Sequence, residues 1–217
     1  MSENTKRTMI NKLGILGVIS LLSYTAAVIF APMAYPGYNW MTQAVSDLSA
    51  ENAPSRLLWD QLSSLYGSCG IVSIMMVCVY VSYRKIWNKI LRMGIYLFAA
   101  MNWVSAVGYK MFPLTESGYV NNLQNIMHVY VVTGLTVLLS IVSLVLIMIG
   151  GYKKNTCRSV AVFASVALFM MFAGAIGTGA APKEYFGIFE RFSVFAATAF
   201  NAVLGMYLFF GEKIMKI

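Results

Sequence analysis

The chain has 217 residues, of which 59% are hydrophobic and only 11% charged, with a mean hydropathy of +0.70 and a formal net charge of +8. Soluble domains carry roughly 25% charged residues, so this composition is hard to reconcile with a water-soluble fold, and it excludes a disordered chain, a coiled coil and a disulfide scaffold. The unit of organisation is instead the membrane-spanning helix of about 20 apolar residues.

In chain order, six apolar stretches are long enough to span: 13–33, 61–83, 91–112, 124–150, 159–180 and 191–211. They predict an all-α fold, an up-down bundle of six transmembrane helices forming a single domain over 1–217, with no soluble domain. The first stretch follows Lys6, Arg7 and Lys12 in the manner of a signal peptide. Signal h-regions are only about 7–15 residues long, so this one reads as a retained anchor. The outer loop 34–60 comes next. Met41, Val45 and Leu48 are spaced there for one apolar face, which predicts a short interfacial helix. Pro54-Ser55 then predicts the opening of helix two, with Ser55 as its N-cap.

Lys and Arg set the orientation. With both termini cytoplasmic, 12 basic residues fall inside (Lys6, Arg7, Lys12, Arg84, Lys85, Lys89, Arg92, Lys153, Lys154, Arg158, Lys213 and Lys216) and four outside (Arg56, Lys110, Lys183 and Arg191). The positive-inside rule therefore predicts cytoplasmic termini. Basic residues scattered over short loops suit anionic inner-leaflet lipid and argue against nucleic acid as a partner. The belt of Tyr35, Tyr38, Trp40 and Trp59 on one side, and Tyr80, Tyr83 and Trp87 on the other, is what headgroup-level aromatics look like. A single His with Cys69, Cys78 and Cys157 provides no familiar zinc or haem ligand set, so no metal and no cofactor is expected.

Polar residues gather toward the outer ends of the helices. Gln124, Asn125 and His128 share one face near the start of helix four. Lys110 and Tyr109 close helix three, while Glu190 and Arg191 open helix six. Polar groups inside a membrane are costly and face the bundle interior or a wet cavity. The expected site is thus an outward-facing polar pocket under the first outer loop, with Asp47, Lys110, Gln124, Asn125, His128, Glu190 and Arg191 as its ligand-binding residues. Basic groups among them match the phosphate of a lipid headgroup. Asn102 and Asn201, near the midplane, read as partners in interhelical hydrogen bonds. In helix five, Ala173, Gly174, Ala175, Gly177 and Gly179 give small-xxx-small spacing, which suits close packing or a homodimer.

Catalytic candidates are His128, Asp47, Ser46 and Glu190. Acyl transfer needs a hydroxyl activated by an imidazole that a carboxylate orients, and all three group types lie on one side of the membrane. No Gly-x-Ser-x-Gly elbow accompanies them. The structural alternatives are an interhelical hydrogen bond for His128 and an ion pair at a helix end for Glu190 with Arg191 or Lys110.

Several short motifs occur in order along the chain: Asn39-Trp40, Ser46-Asp47-Leu48, Gly108-Tyr109-Lys110-Met111-Phe112-Pro113, His128, and Gly187-Ile188-Phe189-Glu190-Arg191. In these the chain resembles the "domain of unknown function 998" family of six-span prokaryotic membrane proteins, from about residue 13 to 210. The resemblance implies a multi-pass protein of the prokaryotic plasma membrane. That family is similar in turn to eukaryotic six-span proteins linked to lipid organisation, which implies membrane lipids as partners. The function expected first is binding of a lipid headgroup or similar amphiphile. A lipid-modifying enzyme of hydrolase or acyl transferase type comes second, and a small transporter third, because the inner halves of the helices are nearly all apolar.

Overall fold

The computed structural model describes residues 8–84, 88–117, 121–153 and 157–211, with Arg84 described by its backbone alone. Six of its helices are long and apolar enough to cross a membrane: α1 (Met9–Ala34), α2 (Arg56–Tyr83), α3 (Lys89–Met111), α4 (Leu123–Tyr152), α5 (Arg158–Ala180) and α6 (Lys183–Phe210). No strand occurs among the described residues. In the bilayer core every backbone N–H and C=O must find its partner within the chain, and a helix satisfies that requirement segment by segment. The protein is accordingly an all-helical, multi-pass membrane protein. Of the basic residues used for orientation, Lys6, Arg7, Lys85, Lys154, Lys213 and Lys216 lie outside the described residues.

The start of α1 and the end of α6 meet at one end of the bundle, where Asn11 Nδ2 of α1 donates to the Leu208 carbonyl of α6 at 2.7 Å. Here this is the terminal end; the opposite, loop end carries residues 35–55, 112–117, 121–122 and 181–182. At the terminal end Asn88 caps α3 by accepting from the Leu91 N–H at 2.9 Å. Its own Nδ2 donates to Gly150 O at 2.6 Å and ties α3 to the end of α4. Leu91, Ile95 and Phe98 of α3, Leu144 and Ile147 of α4, and Phe200 and Leu204 of α6 are buried there at 2% exposure or less. Phe98 and Phe200 meet edge to face at 5.3 Å. Side chains on the other faces, such as Leu22, Phe169 and Ile176, are exposed, as expected where lipid is the solvent.

Small residues set the closest helix crossings. A Cβ on Gly205 would lie 2.4 Å from the Gly14 carbonyl oxygen, so α6 and α1 touch backbone to backbone. In α5, Cβ atoms on Gly174 and Gly177 would collide with Ser193 and with the Phe189 ring of α6. These two members of the small-residue stripe are therefore used within the chain, while Gly179 faces open space.

The structure departs from expectation mainly at the loop end. Helix α2 begins at Arg56 and α6 at Lys183, well before the apolar windows do. Their first turns belong to the loop end, and polar residues there escape a hydropathy reading. Ser55 precedes α2 but makes no side-chain cap; its hydroxyl donates to the Leu48 carbonyl at 2.8 Å. No amphipathic α-helix forms around Met41. The segment turns twice and then forms a short 3-10 helix, Ser46–Ser49, with Val45 and Leu48 buried inside the protein.

Candidate functional site

The loop end is closed by a hydrogen-bonded lid, and the start of α6 anchors it. Glu190 points at the amino end of the Ser46–Ser49 turn and accepts from the backbone N–H groups of Val45 (2.5 Å) and Ser46. It thereby supplies the cap that the turn lacks locally. Arg191 uses its planar fork on the same segment. Nη1 donates to the carbonyls of Trp40 (2.7 Å), Gln43 (3.2 Å) and Gly187 (2.7 Å), and Nη2 to the Tyr38 hydroxyl (2.7 Å). Tyr38 in turn donates to Ala44 O at 2.8 Å. Burial, opposed by the Arg191 charge, pushes the Tyr38 phenol up to about 12, so it stays neutral and keeps that proton. Gly187 N–H donates to Met41 O at 2.8 Å. A Cβ at Gly187 would lie 2.3 Å from Gln43 O and 2.4 Å from Trp40 O, so only glycine admits this contact. Glu190 and Arg191 thus form no ion pair with each other or with Lys110. Among the described residues the one ion pair is Arg56–Asp60, at 2.9 Å.

The second part of the lid is the segment after α3, which folds over the start of α4. His128 Nδ1 lies 2.6 Å from the Phe112 carbonyl. A carbonyl only accepts, so Nδ1 carries the proton. The ring packs against Tyr109 with centroids 4.8 Å apart. Asn125 Oδ1 accepts from Thr115 N at 3.0 Å, and Gln124 Nε2 donates to Pro113 O at 2.8 Å and to Glu51 at 3.2 Å. Asn122 caps the helix through Asn125 N. A π-helical stretch, Met127–Val132, follows. Thr133 donates to His128 O at 2.9 Å, which leaves its oxygen to receive the Tyr109 hydroxyl at 3.0 Å. Glu51 N–H to Leu114 O at 2.8 Å, and Ser117 Oγ to Asp47 O at 3.3 Å, stitch the two parts together. Asp47 also accepts from Ala44 N at 3.0 Å.

Six of the seven expected ligand-binding residues (Asp47, Gln124, Asn125, His128, Glu190 and Arg191) therefore lie in the lid, and most of the hydrogen bonds described for them go to the protein's own backbone. Among the described residues, the His128 ring makes its one hydrogen bond to Phe112 and none to Ser46 or Asp47. The three do not assemble as a nucleophile, acid and base. We expect His128→Ala to destabilise the protein by about 1–2 kcal/mol through the lost interhelical bond, read as a small fall in Tm in detergent.

Lys110 stands apart. It lines a cavity of about 320 Å³ between α2 and α3, walled by Gly67, Ile71, Ala106 and Val107, with Ser68 also at its edge. The small side chains of Gly67 and Ala106 leave the space between the two helices unfilled. Among the described residues Lys110 has neither a hydrogen bond nor an ion pair. A recess of about 10 Å³ shares the lining residues Gly67, Ile71 and Ala106 and reaches Tyr66, Asn102 and Ser105. At its back Asn201 Nδ2 donates to Gly70 O at 3.1 Å and contacts Asn102 Oδ1 at 3.4 Å, the expected midplane pairing. Sequence reasoning missed this groove; its signal is the small residues Gly67, Gly70 and Ala106 on two consecutive helices, with Lys110 one turn beyond. Among the described residues no three His, Cys, Asp or Glu side chains are grouped to hold a metal ion.

The family described as Protein of unknown function (DUF998) matches residues 18–207, nearly the whole bundle. No curated protein and no solved structure matches the chain. The motifs Ser46-Asp47-Leu48, His128 and Gly187-Ile188-Phe189-Glu190-Arg191 are the parts of the lid described above. The chain belongs to the DUF998 family.

Proposed function

We propose that this DUF998 protein binds an anionic amphiphile drawn from the bilayer, with its chain in the α2–α3 groove and its headgroup on Lys110. The observation that carries this reading is the combination of a largely apolar 320 Å³ cavity with one cation that has no partner among the described residues. Ligand cavities run from about 300 Å³ upward, so the groove has room for one hydrocarbon chain. A lysine at a helix end reaches the headgroup level while its stem lies along apolar surface. In this reading the protein lies in a prokaryotic plasma membrane with both termini cytoplasmic, the orientation that the distribution of Lys and Arg favours, and the groove opens toward the outer leaflet.

A transporter reading is less favoured, because the terminal half of the bundle is filled by fully buried Leu91, Ile95, Leu144 and Ile147. A lipid-modifying enzyme would need a base in contact with the bound lipid, and His128 lies in the lid rather than among the groove residues. The test is native mass spectrometry of protein released from anionic nanodiscs. Lys110→Gln is expected to reduce retention of anionic lipid about tenfold relative to wild type. Equal retention by both proteins would end this reading.

A further inference from the structure

The recess below the groove adds a second requirement for the occupant, and the argument rests on the groove reading above. Its volume of about 10 Å³ admits one water-sized group. Its polar lining is out of place at that depth. Counting about 1.5 Å per residue, Ser105 and Asn102 lie about 8 and 12 Å below Lys110 along α3. An unsubstituted hydrocarbon chain would bring only methylenes to that level and leave the polar groups facing them.

Those groups retain hydrogen-bonding capacity. Asn102 Nδ2 gives one of its two protons to Phe98 O at 2.8 Å, and its Oδ1 has only the long contact from Asn201. Ser105 is bonded to the Tyr66 hydroxyl, and a serine hydroxyl still has an acceptor lone pair to offer. Behind them Asn201 is 3% exposed, and its Oδ1 lacks a partner. We infer that the recess receives a hydroxyl carried on the ligand's chain, so that the preferred ligand is a single-chain anionic amphiphile hydroxylated about 8–12 Å from its headgroup. The hydroxyl would donate to Ser105 Oγ and accept the second Asn102 amide proton. A site built to pair a hydroxyl discriminates strongly against the analogue lacking one.

The probes are hexadecyl phosphate and its chain-hydroxylated positional isomers, titrated against the full-length protein in phosphatidylcholine nanodiscs and read by native mass spectrometry. An isomer with its hydroxyl at recess depth is expected to bind about tenfold more tightly than the parent, and isomers hydroxylated elsewhere no better. Asn102→Leu should abolish the preference, read as the ratio of isomer to parent binding within that variant. Ser105→Ala, a milder change, should weaken the preference in a protein with wild-type Tm. Equal binding of all isomers, or a preference that survives in both variants, would mean that the recess holds water only, and the inference fails. Parent binding that is insensitive to Lys110→Gln would instead overturn the groove reading itself.

Discussion

Replacing Arg191 with alanine is expected to cost about 3 kcal/mol of stability and to open the loop at 35–50 to protease. The guanidinium satisfies three carbonyls and the Tyr38 hydroxyl at distances of 2.7–3.2 Å. Bonds to a charged donor contribute about 1.5–3 kcal/mol each, and a buried acceptor left alone costs about 1–3 kcal/mol. Arg191 is half-buried, so water would recover part of that loss, which is why the expected total is well below the sum. The corresponding fall in Tm is on the order of 10 °C. Arg191→Lys should fall between, because an ammonium cannot reproduce the fork geometry. Limited chymotrypsin digestion provides the second readout, since Tyr38 and Trp40 lie in the segment that is released. An unchanged Tm with an intact loop would show that Arg191 does not hold the lid.

Substitution of Ala106 by phenylalanine is the complementary experiment. Ala106 lines both the groove and the recess, so a ring there takes the space proposed for the chain. Binding of an anionic lipid should fall at least tenfold, equivalent to about 1.4 kcal/mol or more. Because the added ring enters a cavity instead of a packed core, Tm should remain close to wild type. The two variants are expected to cross: Arg191→Ala loses stability but keeps lipid binding in the folded fraction, and Ala106→Phe does the reverse. If Ala106→Phe retained the lipid, the groove would not be where it resides.

Residues 9–34 and 158–180 illustrate what was legible in the sequence. Each is a long apolar run with few charges, and the absence of water in the bilayer leaves a helix as the one solution. The midplane pair was legible for the same reason: Asn102 and Asn201 must find polar partners at that depth, and each finds the other. The lid was legible only in part. That Glu190, Arg191, His128 and Asp47 would converge followed from the cost of polar groups near a membrane. What they converge on did not, because the acceptors and donors are backbone atoms of a loop as much as 151 residues away. Backbone groups are the same at every position and leave no mark on composition. Lys110 was misgrouped with the lid residues for a different reason. Its level along α3 could be counted, but which neighbour it faces depends on the rotation of α3 against α2. That rotation follows from the packing of α3 on α4, where Cβ atoms on Gly94 and Gly108 would collide with Ile147 and Val132.

Apart from Lys110 in Gly108-Tyr109-Lys110-Met111-Phe112-Pro113, the motifs by which the chain resembles its family lie in the lid, away from the groove. Gly187, Glu190 and Arg191 serve a loop that could not otherwise pair its backbone near the membrane surface. Such residues hold the loop end in place.

The most direct measurement is photo-crosslinking in liposomes with an anionic lipid carrying a diazirine on its chain, followed by peptide mass spectrometry. The account predicts that labels concentrate on Gly67, Ile71, Ala106 and Val107 and disappear in Lys110→Gln. Labels spread evenly over lipid-facing residues such as Leu22, Phe169 and Ile176, without enrichment at the α2–α3 groove, would contradict it.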